Sequence, residues 1–383
     1  MKTLIKIFYF YLTSILLLTP ALSTERVKIG LIVPLTGEYK EIGLSILNST
    51  RMALNSINSS KIELLPRDTK SDPKVTLKVS KDLFENHGVR IIIGPLFNEN
   101  NIYLNKLPDI TFLSLSNKLQ NIPANVISAG VNAYSQIKTI KKFLESEDLK
   151  KTIFLIPNTS FKDEIENAID KTNIKIKNKY IYDTEPTLLT SQIEQITKYK
   201  QRKQNLIDEI KRVENSSDDN KEKIVDKLKM KDTIGGINFD SVVIADFDQN
   251  LKSVATSLLY TDISSERIKY ICLNQWFDKT LLKETSLQPI YFPSINKKNY
   301  ESFVIDYKKK FNNEPNQISF LSYDLMGLIY YLMYKNNFEY NNNMFYENNK
   351  FKGKIGIFEI NKNVITHEMS FYAVQSEKFK KIF

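Results

Sequence analysis

Short apolar segments alternate with amphipathic helical segments along most of this sequence, and this alternation limits the possible folds. The first apolar segment spans residues 27–33 and ends at Pro34. Further segments of this kind occur at 62–65, 89–93, 110–113, 126–128, 152–157, 179–182, 241–245 and 268–272. Most are apolar at successive positions, as expected for strands whose sheet is covered on both faces. Strands separated by helices predict an α/β fold with parallel sheets and right-handed crossovers.

The N-terminal segment, residues 1–23, has the pattern of a cleavable signal peptide. Lys2 and Lys6 provide the positive charge, 7–18 is largely apolar, and small residues occupy the expected cleavage positions. We expect export to the periplasm, with cleavage at or near Thr24 and no stable membrane insertion afterwards. An uncleaved anchor is the alternative, although the apolar stretch is short for a membrane span. No cysteine lies near the cleavage site, so we do not expect a lipoprotein.

The basic net charge does not by itself indicate a nucleic-acid partner. The 383 residues carry a formal charge of +10, from 54 Lys and Arg against 44 Asp and Glu. The lysines are spread evenly along a chain that is also rich in asparagine and isoleucine. This distribution is typical of a compositional bias rather than of a localised basic patch. We therefore expect no nucleic-acid partner.

The residue sets that catalysis and metal binding require are missing from the sequence. Cys272 lies in a predicted buried strand, and His87 and His367 are far apart, so no metal-ligand spacing occurs. Neither a Gly-x-Ser-x-Gly elbow nor a phosphate-binding glycine loop is present. We predict a non-enzymatic protein with no catalytic residues, no metal and no cofactor. A hydrolase that uses a pair of cleft carboxylates is the enzymatic alternative.

Several short motifs, taken in order, resemble the leucine-binding family of type I periplasmic binding proteins. They are KIGLIVPLTG at 28–37 followed by Gly43, DTKSDP at 68–73, IGPL at 93–96, FLSLSN at 112–117, YD at 323–324 and FKGKIGIF at 351–358. The resemblance extends from residue 27 to about residue 375. It implies two doubly wound parallel-sheet lobes that are joined by a multi-strand hinge.

Within that superfamily, the chain is most similar to the penicillin-binding protein activators. The similarity rests on GPL at 94–96, SLSN at 114–117, a charged insert ending in DTIGG at 232–236, FDSVVIAD at 239–246, and Trp276. The best-known members of this branch are outer-membrane lipoproteins with a helical N-terminal domain. We expect neither the lipid-modified cysteine nor that domain here.

The resemblance implies a division of the chain into two discontinuous lobes. We assign residues 26–131 and 292–340 to lobe 1, and residues 132–291 and 341–383 to lobe 2. Within lobe 2, residues 191–233 are highly charged and have a helical period on both sides of a polar turn. This pattern predicts an inserted antiparallel helical hairpin. The hairpin is either a solvated pair packed on its own lobe or a docking surface for a partner.

In this fold, ligands meet the loops at the carboxyl ends of the strands, in the cleft between the lobes. The predicted cleft residues are Thr36, Gly37, Leu96, Asn98, Ser116 and Asn117 from lobe 1, and Asp246, Asp248, Gln275 and Trp276 from lobe 2. Their hydroxyls and amides, with helix-start N–H groups, suit a carboxylate. In amino-acid binders, the acid that meets the ligand's ammonium comes from the loop that reads LNQW at 273–276 here. Asp246, Asp248 or Asp278 would have to replace it, and Trp276 is either a stacking platform or a core residue.

Two binding functions and one enzymatic function are compatible with these patterns. The resemblance favours a periplasmic leucine-binding-domain protein that regulates cell-wall (peptidoglycan) synthesis, with a penicillin-binding protein as its partner. The alternative is the substrate-binding protein of an ABC transporter, which would deliver a branched-chain amino acid or an amide to a permease. The hydrolase is the third. The identity of the small polar ligand and the oligomeric state are left open.

Overall fold

The structure, a computed structural model, describes residues 26–347 and 349–383. The predicted signal peptide therefore lies outside the described residues. The described chain forms two lobes, each built on a mostly parallel sheet with helices on both faces. Within the described ranges, none of the helices has the length and apolarity that a membrane span requires.

Lobe 1 contains an eight-stranded sheet. Its strands are β1 Val27–Val33, β2 Ile62–Asp68, β3 Ile91–Ile93, β4 Thr111–Ser114, β5 Val126–Ser128, β11 Asn349–Lys352, β12 Ile357–Asn361 and β13 Val364–Glu368. The strand order is β11-β12-β13-β5-β4-β3-β1-β2. Strands β1 to β5 are parallel, and β11 to β13 are antiparallel to one another. Strand β13 joins the parallel part through the pairing of Val364 with Ser128.

Lobe 2 contains a seven-stranded sheet with the order β15-β14-β10-β9-β8-β6-β7. Its strands are β6 Thr152–Pro157, β7 Asn178–Tyr182, β8 Ser241–Ile244, β9 Lys269–Cys272, β10 Ile290–Ser294, β14 Ser370–Gln375 and β15 Lys378–Lys381. Strands β6 to β10 are parallel, and β14 and β15 extend one edge in antiparallel pairings. All residues of β6 and β8 are buried, as their continuous apolar sequence predicts.

Ten helices of the described chain cover these sheets, and some of them have side-chain caps at their N-termini. They are α1 Lys40–Ile57, α2 Pro73–His87, α3 Ala133–Ser146, α4 Lys162–Thr172, α5 Pro186–Ile196, α6 Tyr199–Glu214, α7 Lys221–Lys229, α8 Asp248–Tyr260, α9 Lys297–Phe311 and α10 Phe320–Lys335. The side chains of Asp72, Asn132 and Asn296 accept hydrogen bonds from backbone N–H groups in the first turns of α2, α3 and α9. Gly88 ends α2 in the left-handed conformation.

One glycine lets the first helix approach the first strand closely enough to position the β1 loop. A Cβ atom on Gly43, in α1, would lie 1.6 Å from the carbonyl oxygen of Pro34. No side chain fits at that distance, so α1 reaches this position only with glycine. The backbone that follows β1 is therefore held directly against α1.

The predicted division into lobes is wrong at two places. Residues 341–383 were assigned to lobe 2, but β11 to β13 extend the sheet of lobe 1 and only β14 and β15 join lobe 2. The backbone N–H groups of Lys354, Ile355 and Gly356 donate to the Asp324 carboxylate, which ties this segment to α10 of lobe 1. Residues 292–294 were assigned to lobe 1, but they belong to β10 in the second sheet. Within the described chain, the backbone crosses between the lobes after β5, after β10 and between β13 and β14.

The predicted hairpin region, residues 191–233, contains the end of α5 and the whole of α6 and α7. We call α6 and α7, with the turns that follow them up to residue 233, the helix pair. The helix pair has a small apolar core of its own, formed by Leu206, Val213, Val225 and Leu228. The chain returns to its starting point, because the N–H group of Ile234 donates to the carbonyl of Arg202. The predicted start at residue 191 is wrong, since Ile193 on α5 is fully buried in the core of lobe 2.

Candidate functional site

The loops at the carboxyl ends of β3, β4 and β9 line an open cavity of about 350 Å³ between the lobes. We call it the cleft cavity. It is lined by Leu96, Phe97, Asn98, Glu99, Leu115, Ser116, Asn117, Lys118, Val131, Trp276, Ile318 and Leu321. The amides of Asn98 and Asn117 and the hydroxyl of Ser116 are its uncharged polar groups. Its two charged residues, Glu99 and Lys118, form an ion pair at 3.3 Å.

Hydrogen bonds between neighbouring loops fix the lobe 1 side of the cleft cavity. The hydroxyl of Ser114 donates to the carbonyl of Pro95, and the backbone N–H of Leu115 donates to the same oxygen. The hydroxyl of Ser128, on β5, donates to the carbonyl of Ser116 at 2.8 Å. The loops after β3 and β4 are therefore held in a defined position before any ligand arrives.

Trp276 forms the lobe 2 wall of the cleft cavity and also touches lobe 1. Its backbone N–H donates to the side-chain oxygen of Asn274, and the hydroxyl of Ser294 donates to the same atom. Its half-buried ring packs against Phe320 on α10, with ring centroids 5.8 Å apart. The ring therefore lines the cavity and packs against the core of lobe 1. Its role as a stacking platform for a ligand stays a prediction.

Asp246 is one of the three acids, with Asp248 and Asp278, that were expected to replace the missing ammonium partner, and its side chain is turned to partners inside lobe 2. The hydroxyl of Tyr182 donates to one carboxylate oxygen at 2.5 Å, and the N–H of Phe247 donates to the other at 2.8 Å. Asp246 is only 6% exposed. Burial raises the pKa of Asp246. Burial, together with the nearby Asp246, also raises the pKa of the Tyr182 phenol.

Four other predicted residues do not line the cleft cavity either. The hydroxyl of Thr36 donates to Asp68 at 2.5 Å, which fixes the loop after β1. Gly37 takes a φ of +79° in the same loop. Asp248 is exposed at the start of α8, and the Gln275 amide is buried and donates to the carbonyls of Asp246 and Leu273. The predicted residues that do line the cavity are Leu96, Asn98, Ser116, Asn117 and Trp276.

A buried glutamate on lobe 2, which sequence analysis did not single out, also joins the lobes. Glu164, on α4, is 4% exposed. One of its carboxylate oxygens accepts hydrogen bonds from the backbone N–H groups of Leu119 at 2.8 Å and Gln120 at 3.0 Å. These residues directly follow the β4 loop that lines the cleft cavity. The only sequence signal was an acid in the first turn of a predicted helix, which is common in helices without any such contact.

The described residues contain no arrangement of three or more His, Cys, Asp or Glu side chains that could hold a metal ion. Cys272 is fully buried, and burial raises the pKa of its thiol. The ring of His367 is buried beneath the hinge, where its Nε2 lies 2.9 Å from the carbonyl oxygen of Ala129. Neither residue reaches the cleft cavity.

Both the sequence and the fold of this chain are similar to those of known proteins. Residues 26–197 match the sequence family described as Periplasmic binding protein. The fold resembles a branched-chain amino acid ABC transporter periplasmic ligand-binding protein from Burkholderia xenovorans LB400 at 11% identity and a TM-score of 0.68, covering 94% of this chain and 95% of that one. A comparison with curated proteins finds no match.

Two further structures are similar over nearly the whole chain. One is an ABC transporter solute binding protein from R. palustris in complex with 4-hydroxybenzoate, with 14% identity, a TM-score of 0.59, and coverage of 94% of this chain and 96% of that one. The other is the LpoA C-domain from Haemophilus influenzae, a regulator of PBP1A, also with 14% identity and a TM-score of 0.59. That match covers 93% of this chain and 100% of the LpoA C-domain.

The two-lobed α/β architecture is therefore that of the type I periplasmic binding proteins, and the predicted fold class is confirmed. The periplasmic-binding-protein family that the sequence motifs suggested is supported by the match over residues 26–197. The similar structures include both ABC transporter binding proteins and a regulator of PBP1A, and at 11% to 14% identity they show the fold alone.

Proposed function

We propose that this protein is a non-enzymatic periplasmic binding module that regulates peptidoglycan synthesis by contact with a penicillin-binding protein. The observation that carries the proposal is the position of Asp246. A receptor for a free amino acid has to place a carboxylate opposite the ligand's ammonium group, because an unpaired buried charge is costly. Asp246 is held inside lobe 2 by Tyr182 and Phe247, and the acid in the cleft cavity, Glu99, is paired with Lys118.

Two further features support a role that works through protein contact. The similar LpoA C-domain is described as a regulator of PBP1A, and this chain spans all of it. The helix pair stands outside the sheet of lobe 2 and exposes apolar side chains, with Ile207 41% and Met230 87% exposed. Of the large apolar side chains in the described part of the chain, Met230 is the most exposed, and a contact that covers it would remove its apolar surface from water.

Calorimetry and a binding assay test this proposal together. We expect leucine, isoleucine, glutamate and glutamine to show no micromolar binding to the mature protein. We expect the periplasmic part of a bifunctional penicillin-binding protein from the same organism to bind, and Met230→Glu to weaken that binding at least tenfold. Ile181→Glu, a matched change at an exposed apolar residue on the edge strand β7, is the control and should bind normally.

The result that would overturn the regulatory proposal is micromolar binding of any of these amino acids that disappears in Asp246→Ala. Such binding would mean that the Asp246 carboxylate leaves Tyr182 and meets the ligand's ammonium group. If the penicillin-binding protein binds the Met230→Glu variant as tightly as the wild type, its contact lies outside the helix pair.

The chemistry of the cleft cavity favours a second candidate function, a transport receptor for a small carboxylate that lacks an ammonium group. Asn98, Ser116 and Asn117 offer hydrogen-bond donors and Trp276 offers an aromatic face. Lys118 would meet the ligand's carboxylate by giving up its ion pair with Glu99. The similar R. palustris protein is in complex with a ligand of this type, 4-hydroxybenzoate. Trp276 is the single tryptophan of the chain and lines the cleft cavity, so a ligand bound there should change its fluorescence. A saturable change with 4-hydroxybenzoate, abolished in Asn117→Ala, would favour this role, and an unchanged spectrum would exclude it for this ligand.

A further inference from the structure

A second and larger cavity lies between the lobes, against the same tryptophan. It has a volume of about 820 Å³, and we call it the rear cavity. Lobe 2 contributes the segment from Trp276 to Leu282 together with Phe379, and lobe 1 contributes α9 and the residues that follow it. The lining residues are Trp276, Phe277, Asp278, Lys279, Leu282, Lys297, Tyr300, Glu301, Val304, Ile305, Lys308, Glu314, Pro315 and Phe379. Trp276 is the residue that lines both the rear cavity and the cleft cavity.

The uncharged part of the rear cavity is strongly apolar and aromatic. Four rings line it, those of Trp276, Phe277, Tyr300 and Phe379, and the aliphatic side chains beside them include Ile305, which is 65% exposed. A volume of this size lies within the range of cavities that hold small molecules, and such cavities are mostly lined by apolar and aromatic side chains.

The charged residues at the rim of the rear cavity are already occupied with one another. Lys297 pairs with Glu301, and Lys308 pairs with Glu314. The carboxylate of Asp278 accepts hydrogen bonds from the backbone and hydroxyl of Thr280, and Lys279 acts on Glu314 as a second positive charge. The three lysines and three acids of the lining therefore cancel, and the rim carries no net charge that would attract a charged ligand.

From these observations we infer that the rear cavity is a second ligand site and that it takes a small, uncharged aromatic molecule. A ligand with a net charge would find no unpaired opposite charge on the lining and would lose part of its hydration on entering the cavity, which costs free energy. An uncharged aromatic body loses only its contact with water and gains contacts with four rings. The inference does not depend on which function the cleft cavity serves.

Trp276 and Phe277 lie between the two cavities and contact both lobes. Binding in the rear cavity can therefore affect the cleft cavity through these two residues. Trp276 and Phe277 both have positive φ angles, +51° and +59°, a conformation that aromatic residues rarely adopt. The ring of Trp276 packs on Phe320 of lobe 1, whereas the ring of Phe277 packs on Phe292 and Tyr372 of lobe 2. A molecule that fills the rear cavity touches both rings and so fixes the position of Trp276 in the cleft cavity.

Matched probes that differ only in charge test the inference on the mature protein. The probes are 4-tert-butylbenzyl alcohol, which is uncharged, 4-tert-butylbenzoate, which is an anion, and 4-tert-butylbenzylamine, which is a cation. Each is titrated by calorimetry and by the fluorescence of Trp276. We expect the alcohol to bind saturably with a change in fluorescence, and at least tenfold more tightly than either charged analogue.

Variants in each lobe locate the bound probe. Ile305→Glu on α9 and Leu282→Asn in lobe 2 should each weaken binding of the alcohol at least tenfold. Leu259→Glu, at an exposed leucine on α8, is the control and should not change the affinity. Circular dichroism and melting curves verify that each variant is folded. The inference fails if the alcohol does not bind, if the anion binds as tightly as the alcohol, or if neither lobe's variant changes the affinity.

Discussion

At the scale of single residues, the buried histidine beneath the hinge makes stability depend on pH. His367 lies against the Ala129 carbonyl and is buried, and burial lowers its pKa to about 4. An unfolded chain has a histidine pKa near about 6.5. Between these values, the unfolded state binds a proton that the folded state excludes. The contribution of His367 to stability is therefore present above about pH 6.5 and is lost as the pH falls through 4.

Replacing His367 by glutamine should remove this dependence, because the amide keeps an N–H donor for Ala129 and does not titrate. On going from pH 7 to pH 4, we expect the wild type to lose on the order of 3 kcal/mol more unfolding free energy than His367→Gln. Urea unfolding at several pH values measures the difference. Parallel pH profiles for the two proteins would contradict the prediction.

Asp324, a second buried group, titrates in the same pH range, and its effect on stability is opposite to that of His367. The pH profile of the wild type therefore has to be compared with that of His367→Gln. Burial raises the pKa of Asp324 to about 6, although three backbone N–H groups donate to its carboxylate. A raised pKa of an acid means stability that is present at low pH and is lost as the pH rises through 6. Asp324 is present in both proteins, so its contribution cancels.

At the scale of elements, the buried side chain of Arg202 fixes the helix pair to lobe 2, and the sequence pattern did not predict this contact. The guanidinium of Arg202 is 4% exposed and donates to the carbonyl of Thr197, the hydroxyl of Thr233 and the carbonyl of Thr261. It also lies 3.8 Å from the carboxylate of Asp262. The helical period predicted the helices, but these partners are on segments before and after the pair.

We therefore expect the tip and the anchor of the helix pair to differ in their effect on stability. Replacing residues 206–230 with a short Gly/Ser linker removes a separate apolar core, and the rest of the protein should still unfold cooperatively with nearly unchanged free energy. Arg202→Ala leaves buried partners without their donor and should cost about 2–4 kcal/mol. Chemical denaturation of both proteins tests this, and a greater loss in the linker variant than in Arg202→Ala would refute it.

The strands were predictable from sequence because a buried strand needs a continuous apolar segment, and the segments at 152–157 and 241–245 have one. Which sheet a late strand joins was not predictable, since β13 enters lobe 1 through the pairing of Val364 with Ser128, 236 residues earlier. The loops that line the cleft cavity could be predicted, because loops at the carboxyl ends of parallel strands meet at one edge of a sheet. The orientation of the Asp246 side chain could not be predicted, because it depends on a hydrogen bond from the hydroxyl of Tyr182 on another strand.

At the scale of the whole molecule, two sets of side-chain contacts hold the lobes together. Glu164 of lobe 2 binds two backbone N–H groups of lobe 1, and Trp276 packs on Phe320. Glu164→Ala should weaken the contact between the lobes and increase the radius of gyration measured by small-angle X-ray scattering. Glu166→Ala is the matched control, since Glu166 lies on the same helix and pairs with Lys179 within lobe 2. Identical scattering from the two variants would show that Glu164 does not hold the lobes closed.

The three crossings of the backbone between the lobes have a mechanical consequence. A single proteolytic cut after β5, after β10 or between β13 and β14 breaks one covalent connection and leaves two. The nicked protein should therefore run as one particle in a native gel and separate into two fragments only under denaturing conditions. Three connections side by side also resist twisting of one lobe against the other more than a single linker does, so bending at the crossings is the motion that remains easy.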